Sequence, residues 1–175
     1  MDFLPRREHY VLVPRSAITV QQILTILRET PHRLVVLSTA ATPAQLRAAP
    51  EPGEWSATDV LAHLRSCADM WGEAIEVIVA ADHPTVRAVN PTTWIESTDY
   101  RELAFRPSLQ AFTRQRARLT AALESLSPHG WSRGATVIGA GRPLERTVHD
   151  YAERLARHER THWKQVEETV NAVVC

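Results

Sequence analysis

Three histidines stand out as the residues able to do chemistry: His63, His158 and His162. His158 and His162 are four residues apart, so at about 100° per residue they sit about 40° apart on one helical face. Two imidazoles one turn apart can reach a single ion. Leu155 and Val166 bracket them, so the pair lies on a stripe that otherwise reads as core. Imidazoles on a core stripe need partners for their nitrogens, because a buried polar group without one is destabilising. His63 repeats the situation in an earlier stretch, three residues after Val60 and four before Cys67. Three nitrogen ligands from two helices, with a fourth position open, is the arrangement of catalytic rather than structural zinc. Ferrous iron, nickel and other first-row ions also accept imidazole. The same residues could equally be hydrogen-bonded core histidines, and spacing alone leaves both readings open.

Residues 158–162 also read His-Glu-Arg-Thr-His, a literal match to the H-E-x-x-H pattern of zinc peptidases with Glu159 as the would-be general base. The context disagrees. Trp163-Lys164-Gln165-Val166 supplies neither the glycine nor the histidine of the metzincin continuation. Glu167 and Glu168 belong to the same helix, so neither fits the glutamate that a gluzincin places on a later helix. Glu159 therefore reads as a solvated residue beside the seam. The catalytic residue is unknown from sequence; Tyr151 and Glu159 are the candidates. Tyr151 lies seven residues before His158, about 20° away on the wheel, and either lines a cavity or packs as a core tyrosine. Asp59 could accept the free ring N–H of His63, or simply serve as a helix N-terminal charge. Cys67 is a fourth ligand or a small core residue. Trp94 is placed to cover the pocket mouth, and Trp55 to pack the start of a helix rather than to touch substrate. His9, His32, His83, His129 and His149 read as surface or loop residues.

The elements that must position these side chains can be read in turn. An arm runs to about Ser16. Thr19 caps a first helix that Pro31 either kinks or splits in two. Thr42-Pro43 opens one or two turns ending near Ala49. Pro50-Glu51-Pro52-Gly53 breaks the chain, and Ser56, with Asp59 three residues on, caps a long second helix to about Ala81. Residues 82–99 read as a long loop. A third helix spans about Ser108 to Ser125 on Leu109, Phe112, Leu119 and Leu123. Arg116 interrupts that stripe, its stem expected to pack and its head to reach solvent. Residues 128–143 are irregular, with a short extended piece near Ala135 to Ile138. The last helix starts near Leu144 or Thr147 and ends near Val173. These elements predict an all-α, up-and-down four-helix bundle with long loops between helices 2 and 3 and helices 3 and 4. It fills a single domain over 1–175, with residues 1–16 as the arm.

Composition sets the outer limits. The 175 residues are 44% hydrophobic and 23% charged, with a formal net charge of zero. A neutral chain carries no electrostatic footprint for nucleic acid or an anionic membrane. Two cysteines make a disulfide framework unexpected, and Arg6, Arg7 and Glu8 interrupt any signal peptide. No stretch approaches the roughly 18 apolar residues of a membrane span. The expected location is the cytoplasm, with reduced thiols.

Positions 50–64 read Pro-x-Pro-Gly-Glu-Trp-Ser-x-x-x-Val-Leu-x-His-Leu, and a His-x-x-x-His follows on a long C-terminal helix. Together these resemble the DinB-like (YfiT-like) metalloprotein superfamily of damage-inducible bundles, over essentially the whole chain. The resemblance implies a four-helix bundle with a three-histidine divalent metal site, and by position the ligands are His63, His158 and His162. It implies zinc or nickel first, with iron or manganese as alternatives, a small-molecule substrate and, in some members, a homodimer. Several such proteins use low-molecular-weight thiols such as bacillithiol or mycothiol as transferases or isomerases; others are called hydrolases. The expected function is thus thiol transfer or hydrolysis at an open metal position. The alternative is a non-catalytic, metal-binding or stress-associated module, with an HExxH-type zinc peptidase ranked last. Glu159 is no part of the family motif and inherits no role from it.

Overall fold

Reciprocal caps define where the helices start. In this computed structural model, which describes residues 18–174, α1 (Val20–Ser38) opens on a capping box between Thr19 and Gln22, and α2 (Pro43–Arg47) on one between Thr42 and Gln45. α3 (Ala57–Ala80) opens on the expected box between Ser56 and Asp59. α7 (Val148–Val174) has the same device: Thr147 N–H donates to Asp150 Oδ2, and Asp150 N–H to Thr147 Oγ1. Each box satisfies backbone donors that a helix start leaves orphaned. Between them lie α4 (Pro91–Glu96), α5 (Phe105–Glu124) and α6 (Pro128–Ser132). Pro31 neither splits nor ends α1, which runs through it as one helix. Pro31 is buried, and Ile23, Leu27 and Leu34 around it are fully buried. Packing of that face offsets the one backbone bond that proline removes. The arm expected over residues 1–16, with His9, and Cys175 lie outside the described residues.

The four long helices form the bundle. α1 packs against α5 and α7, and so does α3, which puts α1 and α3 on one diagonal and α5 and α7 on the other. One end of the core joins Leu24 and Leu27 of α1 to Ile75 and Ile78 of α3, Leu123 of α5 and Val148 of α7. The other end joins Leu34, Val60, Phe105 and Val170 of the same helices. The helices therefore run up, down, down, up. The four-helix bundle and its long connections are as expected; the second-to-third connection carries the chain back along the bundle, so α5 runs parallel to α3. No helix among the described residues is long and apolar enough to cross a membrane.

A small sheet is added to the helical class. β1 (Thr85–Arg87) pairs parallel with β2 (Gly134–Ile138), which pairs antiparallel with β3 (Leu144–Thr147). Of the three strands only β2 alternates with fully buried positions, and it is the piece expected to be extended near 135–138. β1 and β3 are three and four residues long and mostly exposed, so no period betrays them in the sequence. The same shortness hid α4, six residues within the stretch read as loop. Gly139 and Gly141 turn the chain between β2 and β3 with φ of 93° and 95°, where a side chain would be strained. Ala135 and Val137 bury the sheet against the core end that holds Ile75 and Tyr151.

Candidate metal centre

α3 and α7 pack directly on each other, and both are fixed in rotation by buried neighbours of their histidines. Val60, Leu64 and Cys67 are buried around His63, as are Leu155 and Val166 around the other two. The three half-buried imidazoles meet there. Ring centroids lie 4.9 Å apart for His63 and His158, 4.8 Å for His63 and His162, and 4.3 Å for His158 and His162. His63 Nε2 and His158 Nε2 face each other at 2.9 Å. Nitrogens sharing a tetrahedral ion at roughly 2.0–2.1 Å would stand roughly 3.3 Å apart, so the spacing is close to what an ion needs. Cys67 Sγ lies 3.7 Å from His63 Nε2, and one donor atom each of His63, Cys67 and His158 falls within 4.8 Å of the others; His162 joins the cluster by its ring and is not part of that donor set. His162 Nδ1 is 2.8 Å from Gln165 Oε1. An amide oxygen only accepts, so Nδ1 carries the proton and Nε2 keeps its lone pair.

Electrostatics favours ligands over cations. Burial, then the charges of His162 and Arg101, pull His63 down to about 4. Burial, then the neighbouring His162 and His63, pull His158 down to about 3. Burial also lowers His162, while its bond to Gln165 works the other way. All three are neutral near pH 7, the form that coordinates a metal. His158 Nδ1 is buried without a hydrogen-bond partner. A buried imidazole with one unpartnered nitrogen, beside two others, all neutral, is a donor set that fits a divalent first-row ion. Burial pushes the Cys67 thiol up to about 12, so it is protonated near pH 7.

Aromatic rings close the sides. Trp71 meets His158 edge-on at 5.0 Å, and the Arg154 guanidinium lies over the Trp71 ring, 4.5 Å from its centroid. Trp55 stands 5.2 Å from His63 and is 37% exposed, so it borders the centre and does more than pack the helix start. Arg154 and Trp71 were not singled out from sequence. Both carry a usable signal: Arg154 is one turn before His158, and Trp71 is two turns beyond His63. Asp59 is committed to the cap, its Oδ2 accepting from Ser56 N–H at 3.1 Å and from the Ser56 hydroxyl. Tyr151 is buried, and with Trp94 it lines the cavity next to the centre. Burial raises the Tyr151 phenol. Among the other histidines His32, His83 and His129 are exposed and His149 is half-buried.

Two expectations about charged residues are corrected together. Glu159 is 1% exposed rather than solvated, and the head of Arg116 is buried rather than reaching water. Arg116 Nη2 pairs with Glu159 Oε1 inside the bundle. Each is tolerated on a core stripe only because the other is opposite. Burial raises the Glu159 carboxyl above the usual carboxylate range, and the guanidinium opposes that rise. Glu159 is thus held by the diagonal helix, its Oε1 engaged by Arg116. The peptidase reading of residues 158–162 loses its base.

The comparisons agree with this architecture. The sequence model of the DinB superfamily matches residues 26–166. YfiT from Bacillus subtilis, described as a probable metal-dependent hydrolase with an unusual four-helix bundle topology, superposes with a TM-score of 0.75 at 19% identity, over 97% of this chain and 93% of that one. A mycothiol-dependent maleylpyruvate isomerase superposes with a TM-score of 0.60 at 16% identity, over 85% of this chain and 60% of that one. No curated protein matches by sequence. At these identities the two structures establish a shared fold.

Proposed function

The chain belongs to the DinB superfamily, and from that premise we propose that it is a metal-dependent enzyme whose divalent ion is held by His63, His158 and His162. The observation that carries this reading is the convergence of three neutral imidazoles, with His63 Nε2 and His158 Nε2 2.9 Å apart across two helices. Zinc or nickel suits the donor set best. A bound ion would supply Lewis acidity to a thiol or a water at its open position. The chain's own residues do the rest. Gln165 fixes the ring of His162 by accepting from Nδ1. Trp71 and Trp55 shield the flanks of His158 and His63 from solvent. Cys67, protonated and buried, fills space beside His63 and leaves the fourth position to substrate. We assign the reaction as transfer of a low-molecular-weight thiol to a small electrophile, with hydrolysis at the same position as the second form. The thiol form draws on the mycothiol-dependent relative and the hydrolytic form on YfiT.

One observation favours a different reading. Cys67 Sγ stands 3.7 Å from His63 Nε2, so a closed site with Cys67 as fourth ligand would make a non-catalytic bundle. The experiment separates them. Protein purified without chelator is expected to hold near one equivalent of metal and to consume bacillithiol, mycothiol or glutathione in the presence of an electrophile. His158→Ala is expected to lose the metal. Full metal in that variant overturns the ligand set. A loaded protein inert with every thiol and hydrolytic substrate, and dependent on Cys67 for its metal, supports the closed site.

A further inference from the structure

A cavity of about 630 Å³ adjoins the centre, bounded by α3, α4, α7 and the sheet. Trp71 is its partition: the ring lines the cavity and meets His158 at 5.0 Å. Three arginines from three elements stand around it, Arg87 on β1, Arg146 on β3 and Arg154 on α7. None of them forms an ion pair among the described residues. Arg146 Nη1 donates only to the Glu145 carbonyl, and Arg154 stacks on Trp71. Two carboxylates, Glu73 and Asp150, share the lining, and Asp150 is engaged with the Thr147 N–H of the α7 cap. Three guanidiniums against two carboxylates leave one positive charge in excess. The walls between are apolar, from Val86, Val137 and Trp94. The Trp94 indole N–H is shielded from solvent and has no acceptor.

We propose that this cavity binds a small organic monocarboxylate with an apolar or aromatic body, as the substrate of the adjoining centre. Its use as substrate rests on the enzymatic reading above; its binding does not. A guanidinium offers a planar fork of donors that fits a carboxylate bidentately. Unpaired guanidiniums around a concave apolar surface focus a positive potential into it. A single excess charge matches a monoanion better than a phosphate dianion, and the apolar walls give inorganic phosphate nothing to bury. Arg154 joins the two chambers, because it belongs to the cavity and stacks on the ring that touches His158.

The test is calorimetric titration with phenylacetate, its neutral isostere phenylacetamide, and inorganic phosphate. Phenylacetate is expected to bind at least tenfold more tightly than either of the others. The double variant Arg87→Gln/Arg146→Gln, both sites exposed on the sheet, is expected to weaken phenylacetate at least tenfold. His158→Ala is expected to bind it within about twofold of the parent protein. Equal affinity for the amide, tighter binding of phosphate, no binding of phenylacetate, or full affinity in the double arginine variant each overturns the proposal. Loss in His158→Ala with retention in the arginine variant places the carboxylate on the metal and overturns it as well. Metal content is measured separately on the same samples, so failure of the cavity and failure of the centre give different results.

Discussion

Imidazoles that are already neutral at the working pH bind a metal without first giving up protons. His63 at about 4 and His158 at about 3 are in that state, and burial pushes His162 the same way. Cys67 is the opposite case, a thiol raised to about 12 that must ionise to coordinate. Proton release on metal binding therefore counts the ligands. Titration with zinc at pH 6 in two buffers of different ionisation enthalpy is expected to show well under one proton released per ion. Release of one proton that disappears in Cys67→Ala would make Cys67 a ligand and close the site. The three histidines were legible in the sequence because i and i+4 share a face and His63 sits between buried neighbours on its own stripe. The role of Trp55 was not, since its contact with His63 depends on how the chain turns at Pro50–Gly53 before α3 begins, and the wheel says nothing of a residue outside the helix.

Between elements, the Arg116–Glu159 pair is the feature with the largest energetic stake. It crosses the bundle from α5 to α7, and Arg116 Nε, Arg116 Nη1 and Glu159 Oε2 are buried with no hydrogen-bond partner. Removing one member strands the other charge in the core, which typically destabilises by about 3–5 kcal/mol. Replacing both by packed apolar residues is often neutral, or stabilising by about 1–4 kcal/mol. Arg116→Met is therefore expected to lower the urea midpoint sharply, and Arg116→Met/Glu159→Leu to recover it to the parent value or beyond. A double variant no more stable than the single one would show that the pair contributes net stability. The double variant is also expected to keep its metal and its turnover. A folded, metal-loaded double variant without turnover would return Glu159 to the chemistry. The sequence showed Arg116 as an interruption of a stripe but not its partner, because the two are 43 positions apart on helices that do not follow one another in the ring. Caps were easier to read. Ser56 with Asp59 and Thr42 with Pro43 are local signals that need no tertiary information.

For the whole molecule, the amphipathic stripes announced a helical bundle, but the up, down, down, up order in which its helices point differs from the alternating order read from the sequence. Loop length permits either return, and packing of Phe105 and Leu109 at the end shared with Leu34 and Val60 decides it. The centre joins α3 to α7 across 95 positions of chain, so neither half of it exists in the unfolded state. Binding there must stabilise the fold as a whole, by about 4 kcal/mol at a thousandfold excess of ion over Kd. For a chain of this size that is roughly 8–16 °C in Tm, at about 2–4 °C per kcal/mol, and a chelator in a thermal melt is expected to remove it. The metal-free protein has its own dependence on acid. The unfolded chain takes protons on these histidines below the ordinary value of 6.5, whereas the folded chain refuses them until about 4 at His63 and about 3 at His158. Their neutral burial is therefore no handicap above pH 6.5, and the folded state loses stability steadily as pH falls from 6.5 towards 3. Chelated protein is expected to show a flat Tm between pH 8 and 7 and a decline below 6.5. The decline is expected to be shallower in His63→Ala/His158→Ala, which has fewer protons to refuse. An equal slope in both proteins would assign the acid sensitivity to other groups and leave the two imidazoles without the burial that makes them ligands.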